Sequence, residues 1–200
     1  MSKSGSNNTK ISQSVEQIGG SGFLVVRNFL PQALSTSLYT ATKEKCPSDS
    51  PFVEMSALGE EYWQLIRLVG DALSAAYSDV SFFGHDQVSY NFNSPGWHHD
   101  GASLLELRNQ HADLVWYQNN IRCVMYPNAK PDREIEFNII PWSHKFPFLA
   151  RWPIREAIKQ NIKMGPTDIL LFDVMAYHSA SFREVSDKAM ITLTFDANQP

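Results

Sequence analysis

Cysteine is scarce in this chain. Only Cys46 and Cys123 occur among 200 residues, far apart and in unlike surroundings. Two such thiols can build neither a disulfide framework nor a thiolate zinc site. No apolar run is long enough to span a bilayer, and the polar N-terminus lacks the apolar core of a secretory signal. A basic excess is also missing: 17 Lys and Arg stand against 21 Asp and Glu, a net charge of -4. A general nucleic-acid binder needs the opposite balance, and so does a polybasic membrane anchor. There is no GxGxxG, no phosphate loop and no GxSxG. These absences leave a soluble, cytoplasmic domain that meets a small molecule rather than nucleic acid or a membrane. No pattern in the sequence sets an oligomeric state.

What is present is enough for one core. Hydrophobic residues make up 43% and charged residues 19%, so most of the chain is expected to fold. Residues 1–9 (MSKSGSNNT) are small and polar and are expected to form a disordered arm, with residues 10–200 as a single domain. The first half reads as helices around one strand. A short helix over Ile11–Ile18 is expected to end at Gly19-Gly20, followed by a strand at Gly22–Arg27. Helices are expected over Gln32–Lys45 and over Glu60–Tyr77, the latter with apolar Trp63, Ile66, Val69, Leu73 and Ala76 at helical spacing.

Beyond Val80 the character changes to short, aromatic or β-branched runs. Strands are expected at Gln87–Phe92, Val115–Tyr126, Glu134–Ile140, Asp168–Met175 and Lys188–Phe195, with a helical interlude at Arg151–Lys163. Helices first and strands after point to an α+β, mainly β domain. The expected architecture is a double-stranded β-helix, or jelly roll, a cupin-like barrel braced by N-terminal helices.

Chemistry concentrates in Gly96-Trp97-His98-His99-Asp100-Gly101. Side chains at i and i+2 of an extended segment share a face, so His98 and Asp100 can hold one metal while His99 points away. His178, at the end of the apolar run from Asp168 to Met175, supplies a third donor. Two histidines and a carboxylate make a facial triad that leaves three positions open on Fe(II), room for a bidentate 2-oxo acid and dioxygen. Catalytic zinc accepts the same donors. HxD alone arises often by chance, and the third histidine is what lifts it above that background.

The last strand adds a cation. Alternation places Lys188, Met190, Thr192 and Thr194 on one face and Ala189, Ile191, Leu193 and Phe195 on the other. With the apolar face under the helices, Lys188 looks into the barrel, where it needs an anion. The distal carboxylate of 2-oxoglutarate would meet that need.

These residues resemble the Fe(II)/2-oxoglutarate-dependent oxygenases, and within them the phytanoyl-CoA dioxygenase family. The resemblance runs in order through Gly22–Pro31, Trp97–Asp100, Ile121–Tyr126, Pro141-Trp142-Ser143-His144-Lys145 and Thr167–His178. It implies Fe(II) on His98, Asp100 and His178, with 2-oxoglutarate as co-substrate and dioxygen as oxidant. The implied activity is oxidation, most simply hydroxylation, of a C–H bond in a small-molecule metabolite. Three positions depart from the family pattern. His99 replaces a glutamine, Trp142 replaces the glycine of a PGSHK turn, and Lys188 replaces an arginine. Asp100 is kept, where related halogenases carry a small residue, which favours hydroxylation or desaturation.

Further residues take roles under this reading. Co-substrate contacts are assigned to Lys188, Thr192, Arg122 and Arg183. Arg183 has loop ion pairing as its plainer role. Arg122 is either a second buried cation or half of an ion pair at a sheet edge. Tyr90, Trp97, His99 and Tyr126 are assigned to the substrate pocket, although packing accounts for Trp97 equally well. Ala102–Asp113 is the candidate lid. Two other readings stay open: a cupin-like metalloenzyme that makes no use of Lys188, and a non-catalytic ligand-binding barrel.

Overall fold

The computed structural model describes residues 15–46, 58–83, 87–92, 96–101, 120–180 and 186–198. The expected arm, the candidate lid and Arg183 lie outside the described residues. Helix α1 (Val15–Ser21) leads into strand β1 (Phe23–Val26). The turn between them needs Gly22, whose φ is +94° and whose added Cβ would lie 2.5 Å from the His144 ring. Helices α2 (Gln32–Lys45) and α3 (Glu60–Ser74) follow, then β2 (Ser78–Phe82) and β3 (Gln87–Tyr90). The rest is β4 (Asn120–Met125), β5 (Ile135–Ile139), a 3₁₀ turn (Pro147–Ala150), α4 (Ile154–Ile158), β6 (Gln160–Met164), β7 (Ile169–Asp173), β8 (His178–Ala180) and β9 (Ala189–Asn198).

Two antiparallel sheets face each other. The larger has the order β1-β7-β4-β9-β2, with β3 also on β9, and the smaller has the order β6-β5-β8. β2 and β3 lie end to end along one side of β9, Phe82 opposite Phe195 and Gln87 opposite Thr192. This is the expected jelly roll with helices on its outer face.

Parity along β4 and β9 sorts the core into two compartments. Ile121, Cys123, Met125, Ile191, Leu193 and Phe195 point outward and join Leu38, Tyr62, Leu65, Val69 and Leu73 beneath the helices. Val124, Tyr126 and Met190 point inward and join Phe137, Ile139, Leu170 and Phe172 between the sheets. α3 shows why a helix forms there. Tyr62, Leu65, Ile66, Val69, Ala72 and Leu73 make one buried stripe, and Glu60 and Glu61 complement the positive end of the helix dipole. Ile66, Val69 and Leu73 are buried as expected, whereas Trp63 lies at the margin of the stripe and is exposed.

Two sequence expectations fail. Arg151–Lys163 is not one helix: α4 covers five residues, and Gln160–Met164 pairs with β5 as an edge strand. Nothing in α4 is buried, so helical spacing there has no core to face. His178 does not close the strand that begins near Asp168. The chain turns at 174–177, leaves the larger sheet and starts β8 in the smaller one.

Candidate metal centre

The site is made where the metal motif is added as a short extra strand beside β8. His98 donates its N–H to the His178 carbonyl at 3.0 Å, and His178 returns the bond at 2.8 Å. This reciprocal pair sets the two imidazoles side by side, with ring centres 4.4 Å apart. Asp100 and Gly101 both donate backbone N–H groups to the Val174 carbonyl, which pulls the carboxylate in behind them. A Cβ at residue 101 would stand 2.1 Å from the Met175 sulfur, so a larger residue there would displace that side chain.

Tautomers are set by backbone carbonyls. His98 Nδ1 lies 2.8 Å from the Gly96 oxygen and His178 Nδ1 lies 2.9 Å from the Ala176 oxygen, so each carries its proton on Nδ1. Both Nε2 lone pairs are therefore free, and both lie 3.6 Å from the same carboxylate oxygen, Asp100 Oδ1. The three donor atoms fall within 4.8 Å of one another. Backbone carbonyls that orient both imidazoles fit a metal-ligand role. His178 is packed between Phe137 and Phe172, with ring centres 5.4 and 4.7 Å away. Burial pulls its pKa down to about 4, so it is a neutral donor at pH 7. The His98 side chain is 46% exposed, so the centre is reached from this end.

Arg122 sits behind the carboxylate. Its Nε is 3.0 Å from Asp100 Oδ2, an ion pair rather than an aligned hydrogen bond, and its Nη1 donates to Thr194 Oγ1 at 2.6 Å. The residue is 2% exposed and lies on β4, between β7 and β9, so it is not at a sheet edge. Its carboxylate is Asp100, so it holds a metal-site residue rather than standing free for an incoming acid.

From Thr194 the inner face of β9 runs deeper through Thr192 and Met190 to Lys188. Lys188 is 2% exposed, and burial lowers its pKa to about 8. Its backbone N–H is fixed by Asn91 Oδ1 at 3.0 Å. Ser89 is opposite Met190 in the register of β3 and β9, and Tyr126 continues the β4 register beyond Met125 opposite Ile191. Both are buried, and neither hydroxyl has a hydrogen-bond partner. Two orphan hydroxyls on the inner face of the barrel are a costly arrangement without a ligand. Thr192 Oγ1 donates to the Gln87 carbonyl at 3.4 Å. Ser89 was missed from sequence; its signal was strand parity, two positions after Gln87 on the inward face.

One pocket expectation is corrected. Tyr90 is outward-facing with Val88, and its hydroxyl donates to Asp187 Oδ1 at 2.6 Å beside that of Tyr39 at 2.5 Å. Lys43 joins the same oxygen at 3.3 Å, and these donors bring the Asp187 pKa down to about 2. Tyr90 thus clamps the turn before Lys188 instead of lining a pocket. His99 turns from the triad onto Tyr177, with ring centres 4.9 Å apart. Trp97 lies under the Arg155 guanidinium at 5.2 Å. Tyr126 does lie inside the barrel.

No protein-family model matches the sequence, and no curated protein is significantly similar to it. The fold does match solved structures. One is the non-haem alpha-ketoglutarate-dependent epimerase SnoN of nogalamycin biosynthesis, at 10% identity and a TM-score of 0.62, over 94% of this chain and 83% of that one. Another is HygX of Streptomyces hygroscopicus with nickel and 2-oxoglutarate bound, at 11% identity and a TM-score of 0.62, over 92% and 86%. A third is EctD of S. alaskensis with 2-oxoglutarate and 5-hydroxyectoine, at 14% identity and a TM-score of 0.63, over 93% and 76%. At such identities the shared property is the fold, the jelly roll of non-haem 2-oxoglutarate-dependent enzymes.

Proposed function

We propose that this protein is a non-haem Fe(II)- and 2-oxoglutarate-dependent dioxygenase that oxidises a C–H bond of a small molecule, most simply by hydroxylation. The observation that carries the reading is the convergence of two Nε2 lone pairs on one oxygen of Asp100, each imidazole locked by a backbone carbonyl. The matched structures that hold 2-oxoglutarate support it by fold. Bound Fe(II) would supply dioxygen activation coupled to decarboxylation of the co-substrate.

The protein's own part is orientation and exclusion of water. His98, Asp100 and His178 would hold the metal on one face. Arg122 takes the outer oxygen of Asp100 and leaves Oδ1 for the metal. Lys188 would take the distal carboxylate of 2-oxoglutarate, with the Ser89 and Tyr126 hydroxyls donating to the same group. Phe137, Phe172 and Met190 keep the interior dry. Among the described residues no helix is long and apolar enough to cross a membrane.

The test is anaerobic addition of Fe(II) and then 2-oxoglutarate to the full chain. A weak metal-to-ligand absorption in the visible range is expected, absent from His98→Ala and restored to the wild-type level in His99→Ala. Metal binding without that absorption would sink the 2-oxoglutarate reading.

A further inference from the structure

Between β5 and β6 the chain is ordered by its own turns, yet from His144 onward it buries nothing. Phe146 bonds back to the Trp142 carbonyl, Leu149 to Phe146, Arg151 to Phe148 and Arg155 to Arg151. From residue 144 to residue 161 no residue is buried. Six large hydrophobic side chains are exposed among the described residues, and five belong to this stretch and its first turn: Trp142, Phe146, Phe148, Trp152 and Ile154. Phe146 and Phe148 stand with ring centres 6.1 Å apart, and Trp152 protrudes at 74% exposure. Five such groups so close in sequence are not the scattered apolar surface of an ordinary domain.

Trp142 gives an independent sign. It adopts φ +60°, a conformation that suits glycine and strains a bulky residue. Its indole is 48% exposed, so burial returns little for that strain. A residue held in strain without a folding gain points to something outside the fold.

Charge says what that is. The stretch 144–161 carries Lys145, Arg151, Arg155 and Lys159 against Glu156 alone, in a chain whose net charge is -4. Net charge excludes a polybasic protein but not a local cationic face. Trp and Phe beside Lys and Arg are the residue types of the membrane–water interface. A second copy of the same face would bring like charges together. A segment built from tight turns whose large apolar side chains stand exposed suits a deformable surface better than a rigid partner.

The face also adjoins the candidate metal site. Ile139, just before it, is opposite His178, and Gln160, just after it, is opposite Ile139. Arg155 covers Trp97, the neighbour of His98. We propose that residues 142–159 form a docking face for an anionic lipid surface, with the mouth of the metal site turned toward the bilayer. This role does not depend on which co-substrate the metal takes.

The experiment is co-sedimentation of the full chain with vesicles of phosphatidylcholine alone, or of phosphatidylcholine with about one-third phosphatidylglycerol. Binding to the anionic vesicles is expected, with little to the neutral ones and a fall on adding salt. Lys145→Gln with Arg151→Gln should weaken it about twenty- to thirtyfold, at roughly fivefold per cation. Trp152→Ala should weaken it about tenfold or more, whereas Trp63→Ala, an exposed tryptophan on α3, should leave it unchanged. Trp142→Gly should raise Tm by about 2–4 °C and yet weaken vesicle binding. That opposition separates a docking residue from a structural one. Equal binding to both vesicles, no binding to either, or equal loss in Trp63→Ala would overturn the proposal. So would a stable dimer in light scattering that Trp152→Ala dissolves, because the face would then be covered by a second copy.

Discussion

Lys188 should make co-substrate capture depend on pH in a calculable way. Burial alone brings its pKa down to about 8. A carboxylate placed beside it favours the ammonium and returns the pKa toward its ordinary range. Binding therefore selects the protonated enzyme, and the apparent dissociation constant should grow as 1 + 10^(pH − 8). That factor is about 1.1 at pH 7 and about 11 at pH 9, a tenfold loss equal to ~1.4 kcal/mol. At pH 8.5 capture should take up about 0.8 proton. The assay is titration of 2-oxoglutarate into the metal-loaded protein, with calorimetry in buffers of different ionisation enthalpy. Lys188→Arg should bind with no such slope, because guanidinium does not titrate in this range. Lys188→Ala should be flat and about ten- to a hundredfold weaker at pH 7. The unliganded protein gives a second readout of opposite sign. Between the folded pKa and the ordinary pKa of 10.5 the unfolded chain binds more protons, so stability should rise with pH there. From pH 7.5 to 9.5 the gain is about 1.5–2 kcal/mol, and saturating co-substrate should erase it. A wild-type affinity that is flat from pH 7 to 9, or a slope that survives in Lys188→Arg, would refute the assignment.

Three other outcomes follow from the geometry. His98→Ala and Asp100→Ala should lose bound metal by elemental analysis, while His99→Ala, whose ring packs on Tyr177, keeps it. Arg122→Met leaves the largely buried Asp100 carboxylate without its cation, so the metal-free protein should lose about 2–3 kcal/mol of stability in chemical denaturation. Metal supplies the missing charge, so the loss should shrink on loading. Tyr90→Phe and Asp187→Asn loosen the turn before Lys188. Each should cost about 1 kcal/mol and raise the half-saturating 2-oxoglutarate concentration without changing metal content.

What could be read from the sequence, and what could not, divides along one line: whether a side chain's place depends on its own strand or on a partner. β9 was legible because Ala189, Ile191, Leu193 and Phe195 need no neighbour to define an apolar face; the pleat then sends Lys188 inward. The i, i+2 relation of His98 and Asp100 was legible for the same reason. His178 was harder, since one apolar run reads alike whether it stays in a sheet or crosses to the facing one. The side of Tyr90 is not set by the metal motif downstream; parity with buried Val88 places it outside. Arg151–Lys163 failed because spacing without burial does not hold a helix, and Gln160–Met164 finds its hydrogen bonds on β5 instead. The same contrast bears on the function. Residues whose positions come from pairing across elements — Arg122 on Asp100, Ser89 and Tyr126 around Lys188, Asp187 under two tyrosines — shape the site, and none forms a local motif. The arrangement around His98, Asp100 and His178 therefore depends on the strand parity that aims those side chains inward, which no local motif records.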